Sequence, residues 1–159
     1  SIPACYAYAG VEERDHSIRE HPKHKVQTHM ILLSEIKLPP TSNHRLMPLC
    51  MGGRARLIKS KKFRDWEKEA GDDIAGRRAE IEEGSLFVKI DIRWPDRRKR
   101  DLDGPVKPLL DLIVREGYIE DDSLIERLEV TRYSPGEYDL LAGTCDIFIQ
   151  TMKDYNCPF

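Results

Sequence analysis

Asp101 and Asp103 stand two residues apart in RRKRDLDGPVK, residues 97–107, directly after four cations and just before Lys107. On extended backbone, side chains two apart share one side, so these carboxylates can act together. A third carboxylate is offered by Glu120-Asp121-Asp122, beyond the helix that follows the pair. If the strands flanking that helix lie side by side, Asp121 or Asp122 returns close to Asp101 and Asp103. Three carboxylates without thiolate or imidazole favour a hard cation, Mg²⁺ or Mn²⁺, over zinc. Such a cation activates water and stabilises a leaving oxygen in phosphodiester hydrolysis. Lys107 lies four residues beyond Asp103, about one helical turn, where it can meet a phosphate or orient an aspartate.

Each acid also has an ordinary role open to it. Asp103 can cap a helix before Pro105, and Asp121 and Asp122 can form a turn. Asp111 shares a stripe with Lys107 and is more simply its ion-pair partner, or that of Arg115. Taken together these roles leave Arg97, Arg98, Lys99, Arg100 and Lys107 unexplained.

The elements that must position these groups follow from periodicity. Residues 29–36, HMILLSEI, read as a strand that runs into the breaker cluster 38–43, LPPTSN. Residues 54–58 fit a short strand after Gly52-Gly53. Ser60 suits the cap of a helix of about twenty residues, on which Phe63, Trp66, Ala70 and Ile74 recur at helical spacing. Gly71 and Gly76 weaken that helix without ending it, and the Phe63–Trp66 pair belongs in a core rather than on a base-stacking platform. Residues 86–94 give the clearest strand, Val88, Ile90, Ile92 and Trp94 alternating with Lys89, Asp91 and Arg93. A helix over residues 105–116, opened by Pro105 and closed by Gly117, comes next. Two further strands, 124–133 and 144–152, are connected through Ser134-Pro135-Gly136. The pattern predicts one α/β (α+β) domain, a mixed sheet of four or five strands with two main helices packed on it.

A chain of 159 residues suits one such domain. The net charge of −2 does not mark a nucleic-acid binder, but its distribution is uneven. Residues 45–64 carry Arg45, Arg54, Arg56, Lys59, Lys61, Lys62 and Arg64 with no acid among them. Screening confines each charge to roughly 10 Å, so these patches matter more than the sum. Cys5, Cys50, Cys145 and Cys157 show no metal-type spacing, which points to reduced thiols in a cytoplasmic protein. No apolar run spans a membrane, and the N-terminus lacks the pattern of a secretory signal. The first 28 residues form a polar arm without clear period; His16, His21 and His24 there lack the partners of a metal site.

The stretch RDLDGPVKPLLDLIVREGYIEDDSLI resembles the core motif of the RusA family of Holliday-junction resolvases: Asp-Leu-Asp-Asn, a lysine three residues on, a helix, Gly-aromatic, then Asp-Asp. The loop LPPTSN is similar to that family's Pro-Pro-Ser-x-Asn loop. The resemblance runs from about residue 30 to 152, which puts residues 1–28 outside a nuclease domain of residues 29–159. It implies a Mg²⁺-dependent (or Mn²⁺-dependent) homodimeric endonuclease that nicks opposed strands of a four-way DNA junction in recombination and repair. It assigns metal binding to Asp101, Asp103 and Asp122, the catalytic lysine to Lys107, and DNA contact to Arg100 and Asn43. Arg97, Arg98, Lys99, Arg54, Arg56, Lys61 and Lys62 extend the expected DNA surface. One position departs: the family usually has asparagine where Gly104 stands. Two other functions fit the residues, a non-catalytic junction-binding protein weakened at Gly104 and a metal phosphohydrolase acting on nucleotides.

Overall fold

The strongest alternation in the sequence lies at the centre of the sheet. The computed structural model describes residues 26–77, 79–81, 83–135 and 141–154. Along the chain run β1 (Val26–Thr28), β2 (Met30–Lys37), β3 (Leu46–Met51), β4 (Arg54–Lys59), α1 (Lys61–Ala75), β5 (Ala79–Ile81), β6 (Leu86–Arg93), α2 (Val106–Arg115), β7 (Ile125–Tyr133) and β8 (Thr144–Thr151). The main sheet has the order β2-β8-β6-β7, with β6 and β7 parallel and the other pairings antiparallel. A parallel neighbour requires a crossover, and α2 supplies it. Although β7 and β8 follow one another in the chain, β6 lies between them.

Burial of one sheet face organises the rest. Val88, Ile90 and Ile92 of β6 stand opposite Ile149, Ile147 and Cys145 of β8, and Ile31 and Leu33 extend the layer onto β2. Phe63, Trp66, Ala70 and Ile74 of α1 pack into this layer, as do Leu109, Leu112 and Ile113 of α2. Phe63 and Trp66 are therefore core residues, and the Trp66 indole N–H donates to the Lys37 carbonyl at 2.8 Å. On the opposite face Met30 and Leu32 are exposed beside the half-buried Phe148.

Capping chemistry sets the helix limits. The Ser60 hydroxyl accepts from the Phe63 amide at 3.1 Å, the cap expected from sequence. The helix is shorter than the twenty residues expected, because Gly76 is its C-terminal cap rather than an interior residue. At the end of α2, Gly117 takes φ +75°, and the Tyr118 amide reaches back to the Ile113 carbonyl at 3.0 Å. That left-handed closure is where glycine carries no Cβ penalty. The Tyr118 hydroxyl then donates to the Ile74 carbonyl, tying the turn after α2 to the end of α1.

Three short or irregular strands escape the sequence pattern. β1 falls within the first 28 residues and pairs in parallel with β5, each only three residues long. β3 contains Pro48 and follows the breaker cluster, yet it forms an antiparallel ribbon with β4. The histidines of the arm, Cys5, Cys157 and Gly136 lie outside the described residues. Cys50 is exposed and Cys145 buried, and neither is paired. Among the described residues no helix is long and apolar enough to cross a membrane.

Candidate active site

β6 ends at Arg93, and the chain continues as a loop held by its own charges. Arg100 grips Asp96 with both guanidinium nitrogens, at 2.5 and 2.9 Å, while its plane lies over the Trp94 ring at 5.3 Å. Asp96 also accepts from the Arg98 amide at 3.0 Å. The Arg100 hydrogen bonds, then that amide, push the Asp96 carboxyl down to about 2. From β7, Arg132 donates to the Arg100 carbonyl. A basic loop that would otherwise repel itself is thereby pinned, and its far end presents Asp101 and Asp103.

Neither of those aspartates is spent on the fold. α2 opens at Pro105 without a side-chain cap, so the Asp103 carboxylate does not serve the helix; only its carbonyl does, accepting from the Val106 amide at 3.0 Å. Among the described residues neither the Asp101 nor the Asp103 side chain has a hydrogen bond or ion pair, and both are exposed. Gly104 between Asp103 and α2 has ordinary backbone, and a Cβ there would meet the Asp101 carbonyl at 3.4 Å. The space thus tolerates a side chain at 104.

Lys107, on the first turn of α2, holds Asp122 at 2.5 Å and Asp111 at 2.9 Å. Asp122, then Asp111, keeps the ammonium charged well above the ordinary lysine range. Both carboxylates thus favour the charged form of Lys107. Its neighbour Asp121 turns away and accepts from the Ser123 amide at 2.7 Å, capping the 3-10 turn Asp122–Leu124. The Ser123 hydrogen bonds lower its carboxyl below the usual range.

Across from these groups stands the loop with Pro40, Thr41, Ser42, Asn43 and His44, rigidified by Thr41 and His44 side chains 2.9 Å apart. The two walls enclose a cleft of about 710 Å³ that brings together Asn43, Arg98, Lys99, Arg100, Asp101, Asp103 and Lys107. Asp122 does not line it and connects to it through Lys107. Among the described residues no three Asp, Glu, His or Cys side chains converge as metal ligands. The donor chemistry nonetheless suits a hard cation: two unpaired carboxylates on one loop, and a third held by a single exposed lysine.

The other basic residues are distributed elsewhere. Arg97 and Arg98 border a neighbouring cleft of about 510 Å³ with Arg132, Asp96 and Trp94. Arg54 and Arg56 lie on the ribbon, and Lys61 pairs with Asp65 on α1 at 2.7 Å beside the exposed Lys62. Trp94, Asp96, Arg132 and His44 belong to these clefts and were not expected from sequence. Only the Asp96/Arg100 spacing of four hinted at a pair.

The cleft thus gathers unspent carboxylates, a lysine and clustered basic residues beyond the end of a sheet strand. Residues 37–140 match the family described as Endodeoxyribonuclease RusA, and the chain belongs to that family. It is 33% identical over 91 residues to the crossover junction endodeoxyribonuclease RusA of Aquifex aeolicus (strain VF5), covering 56% of this chain and 69% of that protein. It is 40% identical over 47 residues to the crossover junction endodeoxyribonuclease of Enterobacteria phage HK97, covering 30% of this chain and 39% of the other.

Proposed function

We propose that this chain is a divalent-metal-dependent endonuclease that resolves four-way DNA junctions by paired nicks in opposed strands, serving recombination and repair. The observation that carries it is the cleft in which Asp101 and Asp103, unspent by the fold, face Asn43 and Lys107. Asp101, Asp103 and Asp122 would hold Mg²⁺ or Mn²⁺, which supplies an activated water and charge stabilisation at the leaving oxygen. Around it the chain's own residues do the positioning. Lys107 keeps its positive charge for the scissile phosphate and, through its ion pair, sets the orientation of Asp122. Lys99 and Arg98 neutralise the flanking phosphates, and Arg100, bound to Asp96, keeps the carboxylate loop in place.

Paired nicks need two such sites. A homodimer supplies them with the symmetry of the substrate. The open sheet face, where Met30 and Leu32 are 55% and 60% exposed, is the surface we assign to that contact. The test is cleavage of a synthetic junction, a linear duplex and a free nucleotide, each with and without Mg²⁺. Metal-dependent cutting of the junction alone is expected. Hydrolysis of the nucleotide, or tight junction binding with no cutting under any divalent metal, would overturn the reading.

A further inference from the structure

The β3–β4 ribbon is the least buried part of the described chain, and its sequence is unlike an ordinary surface hairpin. Every β3 residue is exposed, and so is every β4 residue but the half-buried Ile58. Met51 and Leu57 are each 70% exposed. Opposed residues of an antiparallel pair share a side. One side therefore carries Leu46, Pro48 and Leu57, and the other carries Met47, Leu49 and Met51 beside Arg56 and Arg54. A two-stranded ribbon is marginal alone, and among the described residues this one is anchored at its base. There the Ser60 amide donates to the Arg45 carbonyl at 2.8 Å and the Ser60 hydroxyl to the His44 carbonyl at 2.5 Å. Arg45 and His44 line the active cleft, so the ribbon rises from its mouth. Six residues of strand reach about 20 Å.

We infer that this ribbon enters the open centre of the junction, its apolar residues contacting unstacked bases while Arg54 and Arg56 hold the phosphates on either side. The inference rests on the nuclease reading and adds to it how a branched substrate is told from a duplex. Apolar side chains inserted at a base step unstack it, and a junction centre has already lost part of its stacking. Charge decides the occupant. Residues 45–64 contain no acid but Asp65 follows on α1, and Arg54 and Arg56 have no ion pair among the described residues. On the side that carries Arg54 and Arg56, packing against the same side of a second copy would set arginine against arginine, whereas a polyanion complements them. Self-association also has a separate apolar surface in the open sheet face.

Cys50, exposed one pair from the ribbon's turn, gives a direct test, because Cys145 is buried. The full chain with Cys5→Ser and Cys157→Ser would carry a thiol-linked photocrosslinker at Cys50 and be irradiated on a synthetic junction. Crosslinks should fall on nucleotides at the branch point. A Met51→Ser/Leu57→Ser variant should bind with an unchanged salt slope. It should lose most of the fluorescence rise of 2-aminopurine placed at the branch, and its preference for junction over duplex should drop about tenfold or more. Crosslinks to duplex arms or to a second copy of the chain would overturn the inference, as would an unchanged 2-aminopurine rise. A labelled chain that still resolves junctions while crosslinking elsewhere refutes the ribbon alone. Absence of any metal-dependent cutting refutes the nuclease reading instead.

Discussion

Two carboxylate–cation pairs in this molecule use the same chemistry for different ends. Arg93 of β6 and Asp146 of β8 pair diagonally across the two strands, with Arg93 only 5% exposed and both its terminal nitrogens on the carboxylate at 2.7 and 2.8 Å. Nε and Nη2 also donate to the Thr144 hydroxyl, and the amide of Glu35 donates to Asp146 from the bulge in β2, where Glu35 adopts φ +59°. Burial pushes the Asp146 carboxyl up, but Arg93 and the Glu35 amide outweigh it and hold it below the ordinary range. The fold itself supplies these partners. Lys107 contrasts with Arg93: it is exposed, pairs with a half-buried Asp122, and lines a cleft in which Asp101 and Asp103 have no partner among the described residues. A closed set of partners marks a charge pair as architecture, and an open set marks it as equipment for a ligand.

Breaking each pair should separate the two roles. Lys107→Gln should reduce junction cutting by about a hundredfold or more, since it removes a cation aimed at developing phosphate charge. Its melting temperature should change little, because the ammonium is exposed. Asp146→Asn should do the reverse. It strands a buried guanidinium and should cost about 3 kcal/mol in chemical unfolding, while the folded fraction cuts at near the native rate. Asp121→Asn should alter cutting by no more than about threefold, because this carboxylate caps a turn and hydrogen-bonds to the Ser123 amide.

The pH dependence sharpens the same contrast. Lys107 is raised above its ordinary 10.5, so its pairing is fully present below that value and fades only as pH climbs through the higher folded value. A rate profile should therefore show no inflection from Lys107 on the neutral-to-alkaline side up to about that pH, and Lys107→Gln should leave the profile's shape unchanged. Asp96 is depressed from 3.8 to about 2, so the clamp on Arg100 is complete above 3.8 and is lost as pH falls toward 2. Carboxyl chemical shifts should place that titration near 2.

Local order in the chain explains what could be read ahead of the structure. The β6 alternation, the Ser60 cap, the Phe63–Ile74 stripe and the Gly117 stop all write their geometry within a few residues, and all appear in the fold. The carboxylates and Lys107 were visible as a motif because their spacing is compact. The Arg93–Asp146 pair was not, since 53 residues separate its members and Arg93 reads as one polar position in an alternating strand. The ribbon was half visible: β4 shows a strand pattern, while Pro48 hides β3. That Arg100 is bound to Asp96 and stacked on Trp94 depends on a loop path that no periodicity encodes.

The most direct test sets Asp103→Asn beside Asp146→Asn and measures cutting, junction affinity and unfolding on both. The account predicts that Asp103→Asn loses cutting by at least about a hundredfold while binding and melting temperature hold, because a carboxylate free of the fold supports only function. Asp146→Asn should lose stability and keep its chemistry. Equal loss of cutting, binding and melting temperature in Asp103→Asn would contradict the claim, for it would place that carboxylate in the architecture.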